Sequence, residues 1–165
     1  AFDPYHTAFR LLRLNEACSF NERVSLDMIR ILDYYLLFPF RIQNMSFHAA
    51  DKSWRTISKV YNDIAPYGAL PEDHILFVRM HPFQKAAIDS LCKAGVLSTE
   101  AWKHKEIEYI SSVVPGQIKT RCHELNNGMS DIMEILRAIY EKYPLLGKGG
   151  LKDRTGLMEY RYDAI

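Results

Sequence analysis

Few side chains in this 165-residue chain stand at spacings that could make or break bonds. The run Gly147-Lys148-Gly149-Gly150 has the composition of a phosphate cradle, in which amides freed of side chains point at an anion and a lysine neutralises it. Its spacing does not suit that work. A nucleotide loop needs a glycine, four residues, then Gly-Lys-Ser/Thr opening a helix, whereas Lys148 is followed by Gly149 and preceded by Leu145-Leu146-Gly147. Restriction-type nucleases place an acid, one spacer residue and then a lysine on a strand, so that the carboxylate holds the metal and the lysine orients or activates water. No Asp or Glu here is followed two positions later by Lys, and His-Glu-x-x-His, Cys-x-x-Cys and Gly-x-Ser-x-Gly are also missing. The histidines His6, His48, His74, His81, His104 and His123 match no common metal spacing. Only Cys122-His123-Glu124 and the His74/His81 pair could join a ligand set assembled in space, and structural or surface roles explain them more simply. The expectation is a protein with no catalytic residues, no metal and no cofactor.

Nucleic-acid contact is the one chemistry with a local signal. Lys85, Lys93, Lys103, His104 and Lys105 lie close together in sequence with Trp102 beside them, and lysines of this kind hold phosphates. Asp89, Glu100, Glu106 and Glu108 dilute the patch, as in an ordinary solvated surface of mixed charge. The whole chain carries 21 basic and 20 acidic residues, a net charge of +1, so no global field draws it to nucleic acid or an anionic membrane. Cys18, Cys92 and Cys122 are odd in number and widely spaced beside apolar residues, which predicts reduced thiols in a cytoplasmic protein. No run reaches the roughly twenty apolar residues of a membrane span, and the first residues lack the pattern of a signal peptide. Ten Tyr and eight Phe are a heavy aromatic load, of the kind that surfaces meeting a partner protein use.

The elements that position these residues read mostly as helices. Asp3-Pro4 opens a helix over Tyr5 to Cys18, with Ala8, Phe9, Leu11, Leu12, Leu14 and Cys18 inward and Arg10 and Arg13 on the other side. Ser25 caps a second helix reaching about Phe38, apolar around most of its circumference, which therefore lies at the centre or against another chain. Pro39 ends it, and Ser53 is placed to cap a short helix to Ile64. Pro66, Gly68 and Pro71 mark a loop. His74 to Met80 is rich in β-formers and reads as a strand closed by Pro82, with a short helix as the other option, and Phe83 to Ala94 reads as a helix with Gly95 as its left-handed stop. Lys105 to Val114 alternates like a strand, Gln117 to Asn126 and Asp131 to Tyr143 read as helices, the latter capped by Ser130, and Leu157 to Tyr162 could add an edge strand. The fold class expected is α+β, mostly helical, with a winged-helix-like module and flanking helices. It forms a single domain in three portions: helical 1–65, winged-helix-like 72–115, and helices and tail 116–165. The wing would be Lys105 to Val114.

Three blocks carry a family likeness: Ala1-Phe2-Asp3-Pro4-Tyr5-His6-Thr7-Ala8-Phe9-Arg10-Leu11-Leu12, Arg30-Ile31-Leu32-Asp33-Tyr34-Tyr35-Leu36-Leu37-Phe38-Pro39-Phe40, and Tyr143-Pro144-Leu145-Leu146-Gly147 with Gly150-Leu151-Lys152-Asp153-Arg154-Thr155-Gly156-Leu157. With these the chain resembles a middle component of bacterial ABC-three-component conflict systems, the group that includes the small third subunit of Lamassu-type antiphage systems. The resemblance implies a non-catalytic accessory subunit, of winged-helix character, bridging an SMC/Rad50-like coiled-coil ATPase and an effector, in the leading case a nuclease. DNA would be met through the complex, with Lys85, Lys93, Lys103 and Lys105 as the residues for any direct contact. The alternative is a winged-helix DNA-binding transcriptional regulator. For partner binding, the residues singled out are Tyr34, Tyr35, Leu37, Phe38 and Phe40, an aromatic excess that could dock a helix, and Arg154, Tyr160 and Arg161 in the glycine-flanked tail.

Overall fold

Asp3 starts the first helix, α1 (Pro4–Cys18): its carboxylate accepts the His6 amide at 2.8 Å, and Pro4 sits in the first turn, where its missing amide proton costs nothing. Ser19 stops the helix in the left-handed region (φ 50). The computed structural model of the chain describes residues 2–64 and 69–159. Ser25 accepts the Met28 amide at 3.2 Å and caps α2 (Leu26–Leu37), as its sequence position predicts. Ten of the twelve residues of α2 are buried, so this helix is the central strut, packed on its neighbours all round.

Pro39 does not release the chain into a loop but opens a 3-10 segment, Pro39–Asn44, and a second short 3-10 turn, Ala49–Asp51, leads into α3 (Ser53–Lys59) and a 3-10 continuation, Val60–Ile64. Ser53 is not the cap. The preceding turn already delivers helical dihedrals at Lys52, so Ser53 lies inside the helix.

The strand read at His74 to Met80 is a correction. The structure has one helix, α4 (Asp73–Lys93), running through Pro82. Its buried residues Leu76, Phe77, Met80, Gln84, Ala87, Ile88 and Leu91 keep one helical stripe across the proline. Pro82 and Val78 are exposed, so the Val78 carbonyl that loses its donor faces water and the usual penalty of an interior proline is reduced. Gly95 is left-handed (φ +77), as predicted, and turns Val96 and Leu97 into the core.

Ser98 caps the short α5 (Thr99–Lys103) by accepting the Ala101 amide at 3.1 Å. The segment expected as a wing is the second correction. Only β2 (Glu106–Ile107) is a strand, Ser111–Val113 is a 3-10 turn, and the pairing partner of β2 is β1 (Val24–Ser25), antiparallel with Val24 opposite Ile107. An isolated bridge joins Leu97 to Tyr109. Tyr109 is turned inward, its hydroxyl donating to the Leu11 carbonyl at 2.8 Å, so this stretch is pinned to α1 instead of projecting as a hairpin.

Two more helices follow, α6 (Gly116–Asn127) and α7 (Ser130–Lys142), and then a glycine turn and the short α8 (Leu151–Thr155). Met129, not Ser130, occupies the position before α7. Leu157 to Glu159 is not a strand, and Tyr160 to Tyr162 lie outside the described residues. The fold is thus a mostly helical α+β arrangement with one two-stranded sheet among the described residues. Its apolar core joins Leu11 and Leu14 of α1, most of α2, Phe77 and Ile88 of α4, Ile135 and Ile139 of α7, and Leu151 of α8. All three expected portions of the chain contribute to that one core.

Within it lies a polar knot that the pattern of the sequence did not show. Arg10, read as solvent-facing, is buried and donates to Asp33 through Nε at 2.6 Å and Nη2 at 3.2 Å, while Gln84 donates to the same carboxylate at 2.9 Å and accepts from Arg30 at 3.3 Å. The knot ties α1, α2 and α4 together in the interior, with Asp33 and Gln84 shut off from water and the two arginines about nine-tenths buried.

The glycine run of the tail also has a structural explanation. The Gly149 amide donates to the Asp153 carboxylate at 2.7 Å, so the chain's own carboxylate takes the place an incoming phosphate would use. Gly150 packs on the turn behind it, where a Cβ would press into the Leu146 carbonyl oxygen and lie 2.8 Å from its carbon. Gly150→Ala should therefore push α8 away from the core and lower stability by about 1–3 kcal/mol, read by chemical denaturation. A change within 0.5 kcal/mol would refute this account of the turn.

Candidate functional site

The aromatic cluster nominated for docking is interior. Tyr34, Tyr35, Phe38 and Phe40 are buried in the chain itself, with Leu37 half-buried beside them. The Tyr34 ring meets Tyr35, Phe38 and Phe77 at centroid distances of 5.3, 5.3 and 6.0 Å, and its hydroxyl donates to Asp73, which Arg41 and Asn44 also engage. Burial, followed by the hydrogen bond to the Asp73 carboxylate, raises the pKa of this phenol far above its ordinary value. Phe2 closes the outer end, 6.3 Å from Phe38. Apolar residues all round α2 thus reflect a central helix, and the docking reading of these rings is corrected to core.

Arg154 is also turned inward. Its guanidinium donates to the Gly149 and Ser46 carbonyls and lies 5.4 Å over the Tyr143 ring, so it locks the tail turn to the 3-10 region. Tyr160 and Arg161 lie outside the described residues. The four lysines are exposed but do not form one uninterrupted basic face. Lys103 is 3.4 Å from Glu100, Lys105 lies 5.1 Å over Trp102, and Asp89, one turn from both Lys85 and Lys93 on α4, accepts the Trp102 indole N–H at 2.8 Å. Among the described residues no three His, Cys, Asp or Glu side chains converge as a metal site. The His74/His81 pair is no exception: His74 faces Glu72 at 3.6 Å, and the buried Nδ1 of His81 has no hydrogen-bond partner among the described residues.

What the structure does present is a face built by α1 and α6. The core side of α1 is Thr7, Arg10, Leu11, Leu14 and Cys18, and helical geometry then sets Tyr5, Phe9, Leu12 and Glu16 in a second stripe. Helix α6 lies along that stripe. Two depressions open on the seam. One of about 420 Å³ is lined by Tyr5, His6, Phe9, Gln117, Ile118, Arg121 and Leu125, and one of about 260 Å³ by Leu12, Asn15, Glu16, Ser111, Val114, Lys119 and Cys122. Two lining side chains of the larger depression are apolar and in water: Tyr5 is 78% exposed and Ile118 36%. Tyr5 and Ile118, bordered by His6, Lys119 and Arg121, make this face the candidate contact site.

Polar contacts hold the seam. Arg13 Nε donates to Asn126 Oδ1 at 2.9 Å, Asn126 Nδ2 donates to the Arg13 carbonyl at 3.0 Å and to Glu16, and the His123 ring is 2.7 Å from the other Glu16 oxygen. Burial pushes the Glu16 carboxyl up, but the hydrogen bonds from His123 and Asn126 outweigh it and hold the group below the usual carboxylate range. The Cys122 thiol is raised, chiefly by burial, as befits a packed thiol. The sequence offered weak signs of this face: the isolated apolar Ile118 in a polar helix, and the 5, 9, 12 spacing of α1 outside its core stripe.

The model of one protein family, ABC-three component (ABC-3C) system Middle Component 5, matches residues 1–163. The chain belongs to that family. As a middle component it is one part of a multi-subunit system, which agrees with the likeness carried by its N-terminal, central and tail blocks. No curated protein and no solved structure matches it. Among the described residues of this middle component, no helix is long and apolar enough to cross a membrane.

Proposed function

We propose that this middle component is a non-catalytic adaptor in an antiphage ABC-three-component complex, holding an SMC/Rad50-like coiled-coil ATPase and an effector, such as a nuclease, in one assembly. In this reading the ATPase senses foreign DNA, and the adaptor keeps the effector inactive until that signal arrives. A Lamassu-like arrangement of subunits is part of the same reading. Family membership supports a role among partner subunits, and the observation that carries the docking surface is the exposed apolar rim of the α1–α6 face. That face replaces the buried aromatic cluster as the site of contact.

The test is co-expression with the ATPase and effector encoded beside it, followed by affinity capture. Tyr5→Asp and Ile118→Asp each place a charge on the rim, where stability should change by no more than about 0.5 kcal/mol. If these side chains anchor a partner, each substitution should weaken capture by roughly tenfold or more. Undiminished capture by the folded double variant would remove this face from the proposal. Phosphodiester or nucleoside-triphosphate turnover by the purified chain would overturn the adaptor reading itself.

A further inference from the structure

Helix α6 is attached differently from every other long helix of the fold. It buries only Cys122 and Asn126, whereas α7 beside it buries Ile132, Met133, Ile135, Leu136 and Ile139. Its main anchorage is the clamp of Arg13, Glu16, His123 and Asn126, whose hydrogen bonds water can replace when the helix lifts, while apolar burial has no such substitute. Like α4 and α7, it starts without a side-chain cap, and its C-terminal end is held by backbone hydrogen bonds from Gly128. Pro115 precedes α6 and Gly128 follows it, and Gly116 and Gly128 add two residues of low torsional restraint at the two ends. Two depressions open to water along the seam, so the groove between α1 and α6 is only partly filled by side chains.

We propose that α6 is a flap that opens as a unit about Pro115–Gly116 and Gly128 while α1, α2, α4 and α7 remain folded, uncovering Phe9 and Leu12 of α1. This device is a property of the chain alone and does not depend on the adaptor reading. The clamp makes it cooperative, because Asn126 serves Arg13 and Glu16 together, and loss of one contact loosens the others. Opening enlarges the apolar rim with a stripe that is half-buried in the closed state.

Two thiols make the motion measurable. Cys122 on α6 and Cys18 at the end of α1 are both 3% exposed, but only Cys122 is freed when the flap lifts. The full chain is treated under native conditions with a bulky maleimide, with each site's rate normalised to its rate in denaturant and located by mass spectrometry. Amide hydrogen exchange is followed in parallel. A local opening predicts that Cys122 reacts at least about tenfold faster than Cys18, and that the α6 amides exchange together ahead of those of α7. Asn126→Ala should accelerate Cys122 and leave Cys18 unchanged. Equal rates at the two thiols, or α6 amides as protected as those of α7, would overturn the flap, and these wild-type readings decide the matter even if Asn126→Ala does not fold. If both thiols accelerate together in the variant, opening is global and the proposal fails.

Discussion

Asp33→Ala should cost about 3–5 kcal/mol, the largest loss expected from a single polar residue of this protein. Asp33 is fully buried, and among the described residues its carboxylate is the only acidic partner of the Arg10 side chain, which is itself about nine-tenths buried. Removing the acid leaves a guanidinium in the interior with, among the described residues, only the Thr7 hydroxyl, 3.1 Å away, as a hydrogen-bond partner. Gln84 loses its acceptor at the same time, so α4 is loosened together with α1. For a chain of this length the loss corresponds to a fall in melting temperature of roughly 10 °C or more. Replacing both partners separates the pair from its packing. Arg10→Met with Asp33→Leu should recover much of the loss, because two apolar side chains of suitable volume escape the desolvation penalty that each single change incurs. A loss under 1 kcal/mol for Asp33→Ala would mean that water reaches Arg10 and that the knot is not interior.

Tyr34→Ala should destabilise the isolated chain by about 3–5 kcal/mol, the cost of deleting a large buried ring and leaving a cavity among Tyr35, Phe38 and Phe77. Tyr34→Phe should lose only about 1–2 kcal/mol, since the ring stays and Asp73 keeps Arg41 at 2.7 Å. The pair of values decides the role of the cluster. A ring that served only to grip another subunit would leave the stability of the free chain almost unchanged when truncated and would weaken capture instead. Urea denaturation of the two variants, with no partner present, gives the answer. A Tyr34→Ala chain as stable as the parent would return this cluster to the surface.

These two sites show where local reading of the chain stopped. The rings of Tyr34, Tyr35, Phe38 and Phe40 were legible as an apolar excess, but excess apolar surface has the same sequence signature whether a chain covers it with its own helices or leaves it for a partner. Arg10 read as facing away from the core because its pairing with Asp33 spans 23 positions, and no periodicity reports a contact between two helices. The α1–α6 face was missed for the reverse reason. Ile118 and Tyr5 are apolar residues in polar surroundings, and only the packing of α6 along α1 makes them neighbours.

The helical starts and stops were written locally. Asp3-Pro4, Ser25, Gly95 and the apolar stripe of α7 act through hydrogen bonds and torsions within a turn or two, so residue order alone specified them, together with the mostly helical class and the family likeness. Long-range packing settled the rest. It let α4 run through Pro82 because that proline faces water, paired Val24–Ser25 with Glu106–Ile107 instead of building a hairpin wing, and closed the core over the aromatic cluster. Each of those outcomes depends on which surfaces lose water together, a quantity that exists only once distant segments have met.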